Sequence, residues 1–200
     1  MGLTDSWLAT LAIWASAAAL YYVTLFYADR RQRRRRMPAL DDLGFDLTPR
    51  LPQLQKYVDF CGVGGSIWMV SVLLFSGDHE TREYIRALLD YNALGNVFSS
   101  TLHLVTILPT AEFEESKFAG MGGNADKLMS NHTFNFGVGL HACTLIYSWP
   151  AWALPAGVGI YSYCLCCTRC HYSVDIVLAW WFLFFVLHLD PGLKGAWLAL

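Results

Sequence analysis

Long apolar runs separated by short polar stretches organise this chain. Trp7–Ala28 carries no formal charge and seven alanines, and predicts one uninterrupted helix. Val58–Ser76 predicts a second, with Gly62, Gly64 and Gly65 allowing close helix contact. Arg86–Leu108 is a weaker third, because it contains Asp90, Asn92, Asn96 and His103 before Pro109 stops it. His132–Trp149, Ala151–Thr168 and Tyr172–Leu189 add three more, each of 18 residues, with Pro150 and Pro155 marking the turn between the first two. Such runs match the thickness of a bilayer core. The expected fold is all-α: a polytopic membrane protein built as a six-transmembrane-helix bundle.

Composition agrees with that pattern. Hydrophobic residues make up 55% of the 200 and charged residues 15%, against roughly a quarter charged in soluble domains. A disordered chain, a disulfide-stapled miniprotein and a nucleic-acid binder with a spread basic face are excluded. The expected organisation is an N-terminal anchor helix with its Arg-rich run (residues 1–36), a helical core (37–190) and a short tail (191–200).

Charge placement sets topology. Asp5 precedes the first apolar run and the Arg30–Arg36 cluster follows it, the reverse of a cleaved signal peptide. With six spans, one side holds 11 of the 14 basic residues and the other holds Arg82, Arg86 and Lys194. Basic residues favour the cytoplasm. The Arg cluster reads as a topology anchor touching anionic headgroups, with retention or partner binding as the alternative.

Two polar constellations interrupt the apolar pattern. Asp126-Lys127-Leu128-Met129-Ser130-Asn131-His132-Thr133 opens the fourth run, and Thr168-Arg169-Cys170-His171-Tyr172-Ser173-Val174-Asp175 opens the sixth. Ionisable groups at membrane depth are costly and point to function. The fourth helix crosses and the fifth returns, so His132 and His171 are expected at the same side. His171 and Asp175 are spaced i,i+4 and share a helix face. The carboxylate can hold one imidazole nitrogen and leave the other as nucleophile or base. His132 can then serve as proton donor. Arg169, Lys127, Ser130 and Asn131 are candidates for binding a phosphoryl group, with Asp126, Thr133 and Tyr172 in support. Taken singly, His103, His141 and His188 read as polar helix-packing residues.

These residues carry a resemblance. Arg169-x-His171-Tyr172-Ser173-x-Asp175 is similar to the C-terminal His-Tyr-Thr-x-Asp signature of the sphingomyelin synthase-related lipid phosphotransferases. They are a branch of the type 2 phosphatidic acid phosphatase superfamily. Asp126-x3-Ser130-x-His132-Thr133 resembles their Asp-x3-Ser-Gly-His-Thr motif, with Asn131 in place of Gly. Pro38-Ala39-Leu40-Asp41-Asp42 and Thr106-Ile107-Leu108-Pro109 resemble weaker motifs between the first two helices and at the end of the third. Ser99 stands where the family carries an Arg. The phosphatases' Lys-x6-Arg-Pro motif is absent, and Leu165 stands where they have Ser or Thr.

The resemblance implies a headgroup transferase acting on lipid substrates, and spans near 18 residues suit a thinner endoplasmic-reticulum or Golgi bilayer. His171 would attack the phosphodiester of a donor such as phosphatidylcholine, with Asp175 holding the ring, and form a phosphohistidine. His132 would protonate the departing diacylglycerol and then deprotonate a ceramide or diacylglycerol acceptor. No metal and no cofactor are required. The family's site is exoplasmic, whereas the charge count here places that side in the cytosol. A lipid phosphate phosphatase and a non-catalytic lipid-binding membrane protein are the alternatives.

Other signals point elsewhere. Cys164, Cys166, Cys167 and Cys170 form one arm without the paired spacing of a zinc site, leaving packing or palmitoylation. Gly120–Lys127 lacks phosphate-loop spacing and reads as a flexible loop over the site. Glu112, Glu114 and Glu115 read as a solvated loop face.

Overall fold

The computed structural model describes residues 6–35, 41–106, 129–150 and 152–189. All regular structure among them is helical. In chain order the helices are α1 (Trp7–Arg35), α2 (Leu43–Asp46), α3 (Gln55–Phe75), α4 (His79–Val105), α5 (Asn131–Ile146), α6 (Ala153–Thr168) and α7 (Ser173–Leu189), with a 3₁₀ turn at Pro52–Leu54. The six long helices follow the order expected from the apolar runs. The short α2 was not foreseen. Asp126 and Lys127, the 38–40 part of the first weak motif, the 107–109 part of the second and the tail lie outside the described residues.

The largest departure is α4. It was expected to be the weakest helix, starting at Arg86, but it starts at His79 and runs 27 residues. Asp78 explains the earlier start, because its side chain accepts from the Thr81 backbone N–H at 2.8 Å and from the Thr81 hydroxyl. Those hydrogen bonds hold the Asp78 carboxyl below its ordinary range. This cap therefore persists at neutral and mildly acidic pH and is lost only as pH falls through that lowered value.

The polar residues that weakened the third run join it to its neighbours. Asn92 accepts from the Trp14 indole at 2.9 Å and donates to Asn135 at 2.7 Å. Asn131 donates to Asn96 at 2.7 Å, and Thr24 meets His103 at 3.3 Å. Hydropathy counts such groups as penalties, whereas a bundle uses them as inter-helix ties. These pairs also give direction: α1 runs parallel to α4, and α5 antiparallel to it. The buried positions Thr10, Ala17, Tyr21, Thr24, Leu25 and Ala28 form one stripe of α1. The N-terminal helix is thus packed along α4. The Arg-bearing end of α1 and the start of α5 lie at the same end of the bundle.

Two segments, Trp7–Ala28 and Pro52–Phe75, are long and apolar enough to cross a membrane. The helices α5, α6 and α7 span 16, 16 and 17 residues. The core lies between α3, α4, α5, α6 and α7, around Met69, Leu88, Leu89, Phe134, Val138, Val158 and Leu183.

The crossing of α3 and α5 depends on a glycine pair. A Cβ added at Gly139 would sit 2.8 Å from the Gly65 Cα, and one added at Gly65 would sit 3.0 Å from the Asn135 carbonyl oxygen. Backbone cannot swing aside as a side chain can, so the helices would have to part. Gly64, by contrast, has open space around it. Gly139→Ala is expected to lower stability by about 1–3 kcal/mol. Gly64→Ala is expected to leave it unchanged or raise it by up to about 1 kcal/mol. Thermal unfolding of both variants in one detergent checks the contrast.

Candidate active site at the junction of α5 and α7

The site is built by two helix beginnings. Ser130 is the N-cap of α5, and its Oγ accepts from the Thr133 backbone N–H at 3.1 Å. The Thr133 hydroxyl donates to the same oxygen at 3.0 Å. The backbone N–H of Ser130 donates to the Asp175 carbonyl at 3.0 Å, which ties the first turn of α5 to that of α7. On α7, the Asp175 carboxylate accepts from the Tyr172 backbone N–H at 3.0 Å, as the third residue of a capping box reaches back. Ser173 donates through its backbone N–H (2.8 Å) and its hydroxyl (2.9 Å) to Asp42 Oδ2. Two carboxylates therefore satisfy the otherwise orphaned donors at this helix start, where negative charge is favoured.

These ties bring the imidazoles together. His132 Nδ1 lies 3.2 Å from His171 Nε2, with ring centroids 5.4 Å apart and planes at 61°. His171 Nδ1 lies 3.7 Å from Asp175 Oδ2, an ion-pair separation longer than a hydrogen bond. His171 and Asp175 are buried, at 3% and 0% side-chain exposure, while His132 is 28% exposed. The arrangement is asymmetric: one imidazole is fixed in the protein, and the other is reachable from outside.

Asp59 completes the group. Its Oδ1 lies 3.5 Å from His132 Nε2, on the side of the ring away from His171. Sequence reasoning missed it, although it is an acid inside the second apolar run, the same signal that singled out the histidine motifs. One turn further along α3, Gly62 faces the His132 ring. A Cβ there would meet the ring Cδ2 at 2.5 Å and the Tyr161 hydroxyl at 2.8 Å. That hydroxyl donates to the Val58 carbonyl at 2.8 Å, and the Tyr161 ring stacks on Phe136 at 4.2 Å. The imidazole thus rests in a notch whose floor is backbone.

Arg169 requires a correction. It was expected to bind phosphate, but its guanidinium is committed to protein acceptors. Nη1 donates to Thr48 Oγ1 and the Cys166 carbonyl at 2.7 and 2.9 Å. Nη2 donates to the Phe45 and Thr48 carbonyls at 2.6 and 2.9 Å. The cation also lies over the Phe45 ring at 4.7 Å. Its backbone is left-handed, at φ 61° and ψ 23°, a conformation that only strong surrounding contacts sustain in a non-glycine residue. Arg169 is a clamp holding residues 42–48 across the end of the bundle. Phe45 stacks on Tyr172 at 5.6 Å beneath it.

Asp42 fastens the same strap from its other end, since Oδ1 caps α2 through the Phe45 N–H at 3.2 Å while Oδ2 caps α7. Ser130, Asn131 and Thr133, proposed as phosphate-binding or supporting residues, are buried. The two hydroxyls form the cap of α5, and the Asn131 side-chain amide donates to Asn96. The cysteines of the cluster are free thiols, with Cys166 and Cys167 buried.

No family model matches this chain, and neither do any curated protein or solved structure. The functional argument therefore rests on the site itself. Because Asp42 caps two helices, Asp42→Ala is expected to cost about 2 kcal/mol, read as thermal unfolding. Arg169→Gln is expected to release the strap, with amide exchange at residues 43–48 rising at least about tenfold while exchange in α5 stays slow.

Proposed function

We propose that this chain is an integral-membrane phosphotransferase that moves a phospho-alcohol headgroup from a glycerophospholipid to a ceramide or diacylglycerol hydroxyl. The observation that carries the reading is the 3.2 Å approach of His132 Nδ1 to His171 Nε2, with a carboxylate behind each ring. Asp175 beside Nδ1 leaves Nε2 of His171 as the nucleophilic nitrogen. In the first half-reaction, Nε2 bonds to phosphorus and the bond from phosphorus to the diacylglycerol oxygen breaks. The proton on His132 Nδ1 goes to that oxygen. In the second, the acceptor hydroxyl loses its proton to His132, its oxygen bonds to phosphorus, and the phosphorus–nitrogen bond breaks to restore His171. Asp59 orients His132 throughout.

Reacting atoms in such a step stand roughly 3–3.5 Å apart. Phosphorus therefore has to enter between the rings, and His132, the half-exposed one, is the ring that gives way. Tyr57 and Phe60, which flank Asp59 in the sequence of α3, are exposed and apolar and favour lipid entry. The proposed setting is a six-span bundle in an endoplasmic-reticulum or Golgi membrane. The histidine site then lies at the end that carries the Arg cluster, which basic-residue bias assigns to the cytosol.

Purified protein in vesicles containing labelled phosphatidylcholine tests this directly. With the label in the headgroup, wild type is expected to label ceramide, or a diacylglycerol whose acyl chains differ from the donor's, only when that acceptor is added, and an acid-labile phosphohistidine peptide containing His171 should be trapped without acceptor. His171→Ala should lower turnover by about 10³-fold or more. Phosphate released from phosphatidic acid without acceptor would instead identify a phosphatase. Unchanged lipid handling in His171→Ala would identify a non-catalytic binder.

A further inference from the structure

A side-chain chain leads away from the histidine pair to a residue that the reaction scheme does not use. Gln55, in the first turn of α3, donates through Nε2 to Asp59 Oδ1 at 2.7 Å. That is the same oxygen that faces His132 Nε2. On its other side, Gln55 Oε1 accepts from the Cys170 thiol. Chemistry fixes this orientation. A carboxylate only accepts, so the amide must turn its NH₂ toward Asp59, and its carbonyl must then find a donor. The half-buried Cys170 S–H supplies one. Cys170 immediately precedes His171, so the amide spans from the nucleophile's own segment to the acid behind the second ring.

We propose that Gln55 is a positioning residue: its amide, held the right way round by the Cys170 thiol, keeps the Asp59 carboxylate behind His132. Without that hydrogen bond, Asp59 Oδ1 has no tether on its own helix and turns toward water, for it is on the exposed side of the pair. The Cys170 S–H matters because an acceptor at position 170 would make the amide rotate by half a turn. Its oxygen would then face the Asp59 oxygens, and the tether would become a repulsion. The catalytic part of the inference rests on the phosphotransfer reading above, whereas the positioning part does not.

Four variants separate the possibilities. Gln55→Leu removes the tether, Cys170→Asp reverses the amide, Cys170→Ser keeps a donor, and His171→Ala reports on the reaction itself. The first readout needs no turnover: the rate at which diethyl pyrocarbonate modifies His132 in full-length protein, followed by peptide mass spectrometry. With Asp59 no longer covering Nε2, modification should rise at least about threefold in Gln55→Leu and Cys170→Asp and stay at the wild-type rate in Cys170→Ser. The second readout is labelled phosphatidylcholine turnover with ceramide acceptor. There kcat should fall about tenfold in Gln55→Leu and Cys170→Asp, with KM within about twofold of wild type, and Cys170→Ser should retain activity. Wild-type His132 reactivity in both Gln55→Leu and Cys170→Asp overturns the proposal. So does an equal loss in Cys170→Ser and Cys170→Asp, which would mark Cys170 as a packing residue. If His171→Ala keeps its activity, the phosphotransfer reading fails, while the His132 modification rates still decide whether Gln55 holds Asp59.

Discussion

The histidine pair exists because two helix beginnings are stitched together. One backbone hydrogen bond, from the Ser130 N–H to the Asp175 carbonyl, places the first turn of α5 against that of α7. His132 then lies in the first turn of α5 and His171 two residues before α7, and their rings meet. The same residues that cap the helices flank the imidazoles. Ser130 caps α5 two residues before His132, and Asp175 both caps α7 and faces His171. Helix capping and site construction are here one set of contacts.

The strap of residues 42–48 works at the same junction. Asp42, at its start, accepts three hydrogen bonds, and Arg169 donates four across it. A single charge at each place would be costly to bury, but each is offset by hydrogen bonds to backbone groups that also needed partners. Sequence reasoning saw Arg169 beside His171 and read it as a phosphate ligand, because it considered the short segment alone. Three of the four acceptors that occupy it, from Phe45 and Thr48, come from more than 120 positions earlier.

What the linear sequence made legible follows from what is local. Apolar runs and prolines reported the six long helices, and the i,i+4 spacing reported the His171–Asp175 pair. The convergence of His132 and His171 was legible because two helices of equal length, α5 out and α6 back, return the chain to one end of the bundle. The course of α4 was not legible, since Asn92, Asn96 and His103 lower hydropathy until their partners Trp14, Asn135, Asn131 and Thr24 are known. Asp59 was within reach of the same rule that exposed the histidines, and was passed over because its neighbours carry no motif. Gln55 could not have been found, since an amide has meaning here only between two partners from different segments.

The Gly65–Gly139 contact bears on the histidine pair at a distance. It fixes how far the axis of α3 stands from that of α5, and so how far an acid on α3 must reach to back a ring on α5. Asp59, with one methylene, comes within 3.5 Å of the His132 ring across this close crossing. Axial spacing and side-chain length are exchangeable quantities in such a bundle: a crossing widened by one methyl group on either glycine would call for an acid one carbon longer at position 59. The identity of that acid is in this sense written in two residues that bear no side chain.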